Sequence, residues 1–346
     1  MTPDTDPTRE HPFGVFVFLA DTMGSGQTNP MTHEPGRPNV QGICGDTRLD
    51  APAWGIGLSL AEGQTATTGD GGLEAAVARA LASSPRRVVF AEWHGKKYVV
   101  KRIARKSKRK GRFKLGLIEV FSRWAFPGHV VKGSLKAGDG LWELARNKAL
   151  AEAGERVPQV VLSLPDAVVY EYCGTVLNLH LARLTGTEKQ TLIRQAMVDL
   201  ARFHHAGHWH GAAQFRNMVA LASDASGVPE FCRFDFEEDL AEQFSLPLLQ
   251  MYDLGLFLAD VLYLEGEIPN VTAWAGALLR DYQAVHWSRD HADLLGRLAR
   301  MARPILWAGP LIRRFGNWES RRTLELAKLL TLAARDEKAR GSGVAP

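Results

Sequence analysis

Cysteine is scarce in this chain. Three occur in 346 residues, Cys44, Cys173 and Cys232, and none is paired as Cys-x-x-Cys. That excludes a disulfide framework and a structural zinc site, and makes a reducing cytoplasm the expected setting. Long apolar runs are missing as well. The best, Gly14 to Ala20 and Ile305 to Ile312, fall far short of the roughly 18 residues that cross a bilayer. The first of them follows Asp4, Asp6 and Glu10 with only Arg9 to oppose them, the wrong charge for a secretory leader, so export is not expected. What remains is ordinary for a soluble globular protein, with 45% hydrophobic and 23% charged residues. At about 150 residues per domain, the length predicts two domains or lobes.

Acidic residues are absent where basic ones concentrate. From Lys101 to Lys114 nine Lys or Arg occur without a single Asp or Glu, so a chain of net charge +4 owes its sign to one strip and is −5 elsewhere. Such a strip is either a solvated face or an anion-binding element facing phosphates or acidic lipid. Nucleic acid is the weaker partner, because aromatic interleaving is limited to Phe113. A second basic stretch, Arg297 to Arg314, mixes five arginines with Leu, Ile and Trp. Its apolar residues either complete a helical core or form an amphipathic face for an anionic membrane.

Residues 1–70 are rich in Pro, Gly, Thr and Asp without a sustained period, which predicts a disordered tail. Order is expected from a helix at GLEAAVARALASS. Strands follow at Val88 to Trp93 and Tyr98 to Ile103, separated by a hairpin turn over His94 to Lys97. A helix from Leu141 to Ala153, closed by Gly154, leads to strands at Val157 to Leu162 and Ala167 to Tyr172. Beyond Gly174 helical periodicity dominates, over Lys189 to His205, Pro247 to Tyr263, Ala273 to Tyr282, His291 to Met301 and Ser320 to Asp336. The reading is α+β: a β-rich lobe over 71–172, a helical lobe over 173–336 and a disordered end over 337–346.

The chemistry concentrates in Ala201 to Leu221, ARFHHAGHWHGAAQFRNMVAL, followed by Arg233-Phe234-Asp235-Phe236-Glu237. Four histidines there invite a metal reading, but their spacing matches no zinc signature and no Cys or carboxylate stands among them. The window instead resembles the catalytic loop of protein-kinase-like proteins, in the form found in RIO-type kinases and bacterial lipopolysaccharide core kinases. Leu200, His204, Gly207, His210, Gly211 and Asn217 fall in step with that loop, and Asp235-Phe236-Glu237 takes the place of its D-F-E.

The resemblance implies a two-lobe protein-kinase-like fold that uses ATP and Mg2+. Lys101 would be the strand lysine that pairs the nucleotide phosphates, and Glu143, with Glu152 as a competitor, the helix glutamate that orients it. Asn217 and Asp235 would hold magnesium. Glu171 to Gly174, including Cys173, would form the adenine-binding hinge, while His210 and Asp253 would brace the loop. Two elements of the pattern are missing. Ala212 stands where the family has its catalytic aspartate, leaving Gln214, His208 and His210 as the nearby polar groups. No GxGxxG precedes Val88.

The resemblance implies ATP-dependent phosphorylation of a hydroxyl on an envelope glycan or another small acceptor. The expected setting is a bacterial cytoplasm, with the strip from Arg105 to Lys114 resting on the inner face of the membrane or on a phosphorylated glycan. Ala212 supports a rival reading, a pseudokinase acting as a regulatory or interaction module.

Overall fold

Alternation of apolar and polar residues in VVFAEW and KKYVVKR makes two half-buried antiparallel strands, β1 (Val88–Trp93) and β2 (Lys96–Arg102). The computed structural model describes residues 72–103, 122–130, 140–221, 229–236, 240, 243–264 and 266–341. The expected tail, the basic strip from Arg105 to Lys114 and Glu237 lie outside them. The β1–β2 turn is shorter than the sequence suggested. His94 and Gly95 alone form it, with φ of 48° and 71°, the left-handed pair that a two-residue type I′ hairpin requires. Lys96 and Lys97 therefore belong to β2, opposite Trp93 and Glu92.

Two further strands, β3 (Val160–Ser163) and β4 (Ala167–Glu171), complete an antiparallel sheet of order β1-β2-β4-β3. β3 begins at Val160 rather than Val157, beyond Pro158, which has no N–H to give to a ladder. Lys101 thus lies on an interior strand, the second of the described sheet. One face of the sheet, Val89, Ala91, Tyr98, Val100, Ala167 and Val169, is packed with Val77 of α1 (Leu73–Ser83). The two-residue period sends Val99, Lys101, Val168 and Tyr170 to the opposite face. Between β2 and β3 runs α2 (Gly140–Glu152). Its end is fixed by Gly154 at φ 85°, with Gly154 N bonded to Ala151 O (3.1 Å) and Glu155 N to Leu150 O (3.0 Å).

The rest of the chain is mainly helical: α3 (Leu177–Leu181), α4 (Gly186–His205), α5 (Leu246–Leu262), α6 (Val271–Val285), α7 (Arg289–Trp307), α8 (Gly309–Phe315) and α9 (Trp318–Gly341). It is not wholly so. A short ribbon, β5 (Met218–Ala220) and β6 (Phe231–Arg233), flanks the loop motif, and α9 runs to Gly341, past the Asp336 at which the sequence reading ended it. α5 is apolar nearly all round and buried accordingly. The Arg297 to Arg314 segment is core on one side only. Leu298, Ala302 and Ile305 are buried, whereas Trp307, Leu311 and Phe315 are 92%, 64% and 74% exposed.

Beneath the loop motif Gln250 of α5 organises a group of histidines. Its amide donates to the carbonyls of His204 (2.7 Å) and His208 (3.0 Å), and its oxygen accepts from Nε2 of His286 (3.0 Å) and His291 (3.1 Å). Ser288 Oγ lies 2.7 Å from His291 Nδ1, and Tyr282 Oη 2.6 Å from His204 Nδ1. The network fits neutral imidazoles that carry hydrogen on Nε2. Burial, followed by neighbouring imidazoles, lowers both His286 and His291 to about 4. Unfolding frees these rings to titrate near 6.5, so below that pH the unfolded chain binds protons that the native one refuses. Stability is therefore complete above about pH 6.5 and falls as the pH is lowered toward 4. Urea unfolding at pH 7, 6, 5 and 4 checks this, and His286→Gln should flatten the slope.

Candidate active site

Lys101 reaches out of the sheet to two carboxylates brought from distant parts of the chain. Its Nζ is 2.9 Å from Glu143 Oε1 and 2.8 Å from Oε2, and 2.5 Å from Asp235 Oδ1. The lysine and glutamate side chains are 12% and 7% exposed, whereas that of Asp235 is 37% exposed and open to a ligand. Glu152, the alternative partner, instead faces Lys148 at 3.8 Å on the outer side of α2. The 42 residues separating Lys101 from Glu143 are thus spanned by an ion pair. Arg146, one turn beyond Glu143, secures α2 from below. Its guanidinium lies 3.6 Å over the Trp209 ring and 5.5 Å from that of Phe236, and it donates to the Trp209 carbonyl. The i, i+3 spacing of Glu143 and Arg146 was the available signal for this second contact.

The loop is held by a carboxylate below it. Asp253, fully buried on α5, accepts from the backbone N–H of His210 and, at 2.8 Å, from that of Gly211; His204 Nε2 lies 3.3 Å away. Burial alone would raise its pKa, but the His204 and backbone bonds hold it below the usual carboxylate value. His210 is also fully buried. Its Nδ1 accepts from Ala212 N at 3.2 Å, its ring lies against Phe236 with centroids 4.6 Å apart, and burial lowers it to about 4. It is a neutral structural ring, unsuited to binding a metal while its Nδ1 accepts from the loop.

Asn217 is 3% exposed and donates through Nδ2 to Ala212 O at 2.9 Å. That bond leaves Oδ1 as the amide's oxygen donor. Phe234 N is bonded to Asn217 O at 3.2 Å, which sets Asp235 next to Asn217. Asp235 itself has φ 71°, a left-handed conformation that aspartate accepts more readily than most residues. Gln214 lies near the carboxyl of Asp260, which accepts from Phe215 N at 2.8 Å. Asp260, absent from the sequence reading, lies seven residues after Asp253 and so on the same face of α5. The residues expected to form the hinge follow from β4. Glu171 pairs with Tyr98, and Cys173 follows two residues later, half-buried against Cys232.

These parts would suit a hard cation. Asp235 and the Asn217 amide offer oxygen ligands, and no group of three or more His, Cys, Asp or Glu with metal-binding geometry occurs among the described residues. That donor set is sparse, as for magnesium ions whose coordination is completed by phosphate oxygens and water. The β1–β2 turn is a less complete match, since its two residues are too few to wrap a phosphate chain.

An interior-strand lysine paired to a helix glutamate, an asparagine and aspartate flanking a ribbon, and a loop braced from a buried helix occur together in one compact unit. No protein-family model matches the chain, and no curated protein matches it significantly. Among solved structures it is similar to Rv3197 of Mycobacterium tuberculosis in complex with erythromycin, at 18% identity and TM-score 0.29 over 75% of each chain. It is also similar to the choline kinase LicA of Streptococcus pneumoniae, at 14% identity and TM-score 0.29 over 71% of this chain and 90% of that one. Values this low leave the functional reading to the geometry.

Removing the brace tests the loop's dependence on it. Asp253→Ala strands two backbone N–H groups and His204 in a dry interior, and should cost about 3 kcal/mol. For a chain of this size that lowers Tm by roughly 6–12 °C. A calorimetric scan checks this.

Proposed function

We propose that the chain is a kinase-like phosphotransferase for a small hydroxyl-bearing acceptor, with an envelope glycan as the leading class, using ATP and magnesium. The observation that carries the reading is Lys101 meeting Glu143 and Asp235 within 3 Å across 42 and 134 residues of sequence. Among the described residues the cluster sets one cation between two carboxylates, and the partly exposed Asp235 carboxylate is the kind of oxygen ligand that a hard divalent cation takes. Magnesium nucleotide, when bound, supplies the phosphoryl group and neutralises charge as that group moves. The chain's own part is positional. Lys101 orients phosphate oxygens, Glu143 fixes the lysine, Asp235 and Asn217 ligate the metal, and Glu171 to Gly174 meet the base.

Ala212 supplies neither orientation nor proton acceptance, so the general-base factor, about 10²–10⁴, is missing unless another group provides it. This observation favours a second reading, a pseudokinase that binds nucleotide and signals through a partner. Magnesium-ATP at a hundred times its Kd should stabilise the wild type by about 2.7 kcal/mol, and Asp235→Ala should lose most of that shift. The absence of a magnesium-dependent shift in a thermal titration would overturn the nucleotide reading altogether. Ala212→Asp should raise ATP turnover if only the acid is lacking; an unchanged rate in a variant that still binds supports the pseudokinase.

An anionic lipid surface is the proposed place of work. The strip Arg105 to Lys114 is its first basic element. The second is the end of the α7–α8 segment, where Trp307, Leu311 and Phe315 project at four-residue spacing beside the exposed arginines Arg300, Arg303, Arg313 and Arg314. No acid occurs between Asp293 and Glu319. A protruding apolar ridge with a positive border fits the interface of an acidic bilayer, where each basic residue contributes on the order of 1 kcal/mol. No helix of the described residues is long and apolar enough to cross a membrane. Sedimentation with anionic vesicles should weaken when Lys106, Lys108, Arg109 and Lys110 are changed to Gln, and when Trp307, Leu311 and Phe315 are changed to Ala. Equal binding of all three proteins rejects the surface, and tighter salt-sensitive binding to RNA rejects it in favour of nucleic acid.

A further inference from the structure

Two of the three cysteines face one another at the hinge. Cys173 follows β4 on the hinge segment, and Cys232 is the central residue of β6, 59 residues away. Their sulfurs are 3.2 Å apart, both are reduced, and the Cys232 thiol donates to Cys173 Sγ. The pair is held there by backbone. Val176 bridges to Val219, which is the register partner of Cys232. A side-chain carbon at Gly174, itself at φ 128°, would come within 3.2 Å of Val219. The hinge is therefore pressed onto the β5–β6 ribbon. The two thiols differ in access. Cys232 is 2% exposed, whereas Cys173 is only half-buried and open to a small solute.

We infer that Cys173 and Cys232 form a modification site for hydroperoxides, with Cys173 as the attacking sulfur and Cys232 as the resolving one. The bond from Cys232 lowers the pKa of Cys173 despite its burial, while the same contact and burial push Cys232 far up. In the first step the Cys173 thiolate attacks one peroxide oxygen. The O–O bond breaks, sulfur keeps that oxygen as a sulfenic acid, and hydroxide or alkoxide leaves to take up the proton that Cys173 gave on ionising. In the second step Cys232 sulfur loses its proton and attacks Cys173 sulfur. An S–S bond forms, the S–O bond breaks, and the departing hydroxide leaves with that proton as water. Two thiols and one hydrogen peroxide become one disulfide and two waters. The sulfurs need to close by only about 1 Å to reach a bonded separation of about 2.05 Å.

The product would tie the hinge to the strand that ends two residues before Asp235. The oxidation itself is independent of what the cleft binds, so it is measured without nucleotide. The full-length, reduced protein is treated with one to ten equivalents of hydrogen peroxide, alkylated, digested and read by mass spectrometry. The expected result is a Cys173–Cys232 cross-linked peptide pair, loss of two alkylatable thiols per chain, Cys44 still alkylated, and full reversal by dithiothreitol. In Cys232→Ser, dimedone should label Cys173 at several times the wild-type yield, because the sulfenic acid has nothing to resolve it. A thermal melt verifies that this variant is folded. The inference is overturned if both thiols stay as alkylatable as in untreated protein. It is overturned equally if either pairs with Cys44, or if wild type and Cys232→Ser take up the same amount of dimedone.

Discussion

A carboxylate cut off from water must have its charge answered by protein, and the centre of this molecule is arranged around one that is. Asp253 sits on a helix buried nearly all round, and its answer comes from the backbone N–H groups of His210 and Gly211 together with His204. Because two of those partners belong to the loop, the loop cannot move away without leaving a bare charge in a dry interior, which costs several kcal/mol. The same helix supplies Gln250, which bonds the carbonyls of His204 and His208, and Asp260, which takes the N–H of Phe215. One buried helix therefore grips the loop at its beginning, middle and end. Asn217 inherits its position from those three grips.

The upper half of the site is fixed by charge across a wider gap. β2 delivers Lys101 to the face of the sheet turned away from the α1 core, and α2 delivers Glu143 to meet it. Arg146 then ties α2 to Trp209 in the loop, so the glutamate's position depends on loop and sheet together. Only Asp235 in this cluster has substantial exposure. A ligand can compete for it without displacing the Lys101–Glu143 pair, which is nearly enclosed and whose separation would strand charge on both partners.

Much of this was legible in the sequence where local chemistry decides it. The period-two runs around Val88 and Tyr98, the glycine closing α2 and the His-Gly-x5-Asn spacing each carry their structure within a few residues. The misplacements occur where tertiary packing or a missing donor decides instead. β3 starts after Pro158, the β1–β2 turn tightens to His94 and Gly95, and β5 with β6 are three residues each, too short for a period to register. Asp260 and Arg146 were readable in principle, as same-face neighbours of Asp253 and Glu143. The thiol contact between Cys173 and Cys232 was not, because nothing in a 59-residue separation says which strand edge returns to the hinge.

The shape of the loop at Ala212 is set by its main chain. Its backbone is fully used: the carbonyl accepts from Asn217 Nδ2 at 2.9 Å and from Gln214 N at 2.7 Å, and the N–H reaches His210 Nδ1 at 3.2 Å. None of these bonds involves the side chain at this position. Placing the Asn217 amide is therefore a main-chain task, independent of the side chain at position 212, and alanine there offers no proton acceptor. Asp260 is no ready substitute. Its carboxyl, whose pKa burial pushes up, already accepts from Phe215 N, so using it as a base would release the turn that holds Asn217. Phosphoryl transfer relies chiefly on positioning and charge. On the proposed reading, the residues around Ala212 bind and orient, and Ala212 itself adds no group that could adjust the rate once binding has occurred.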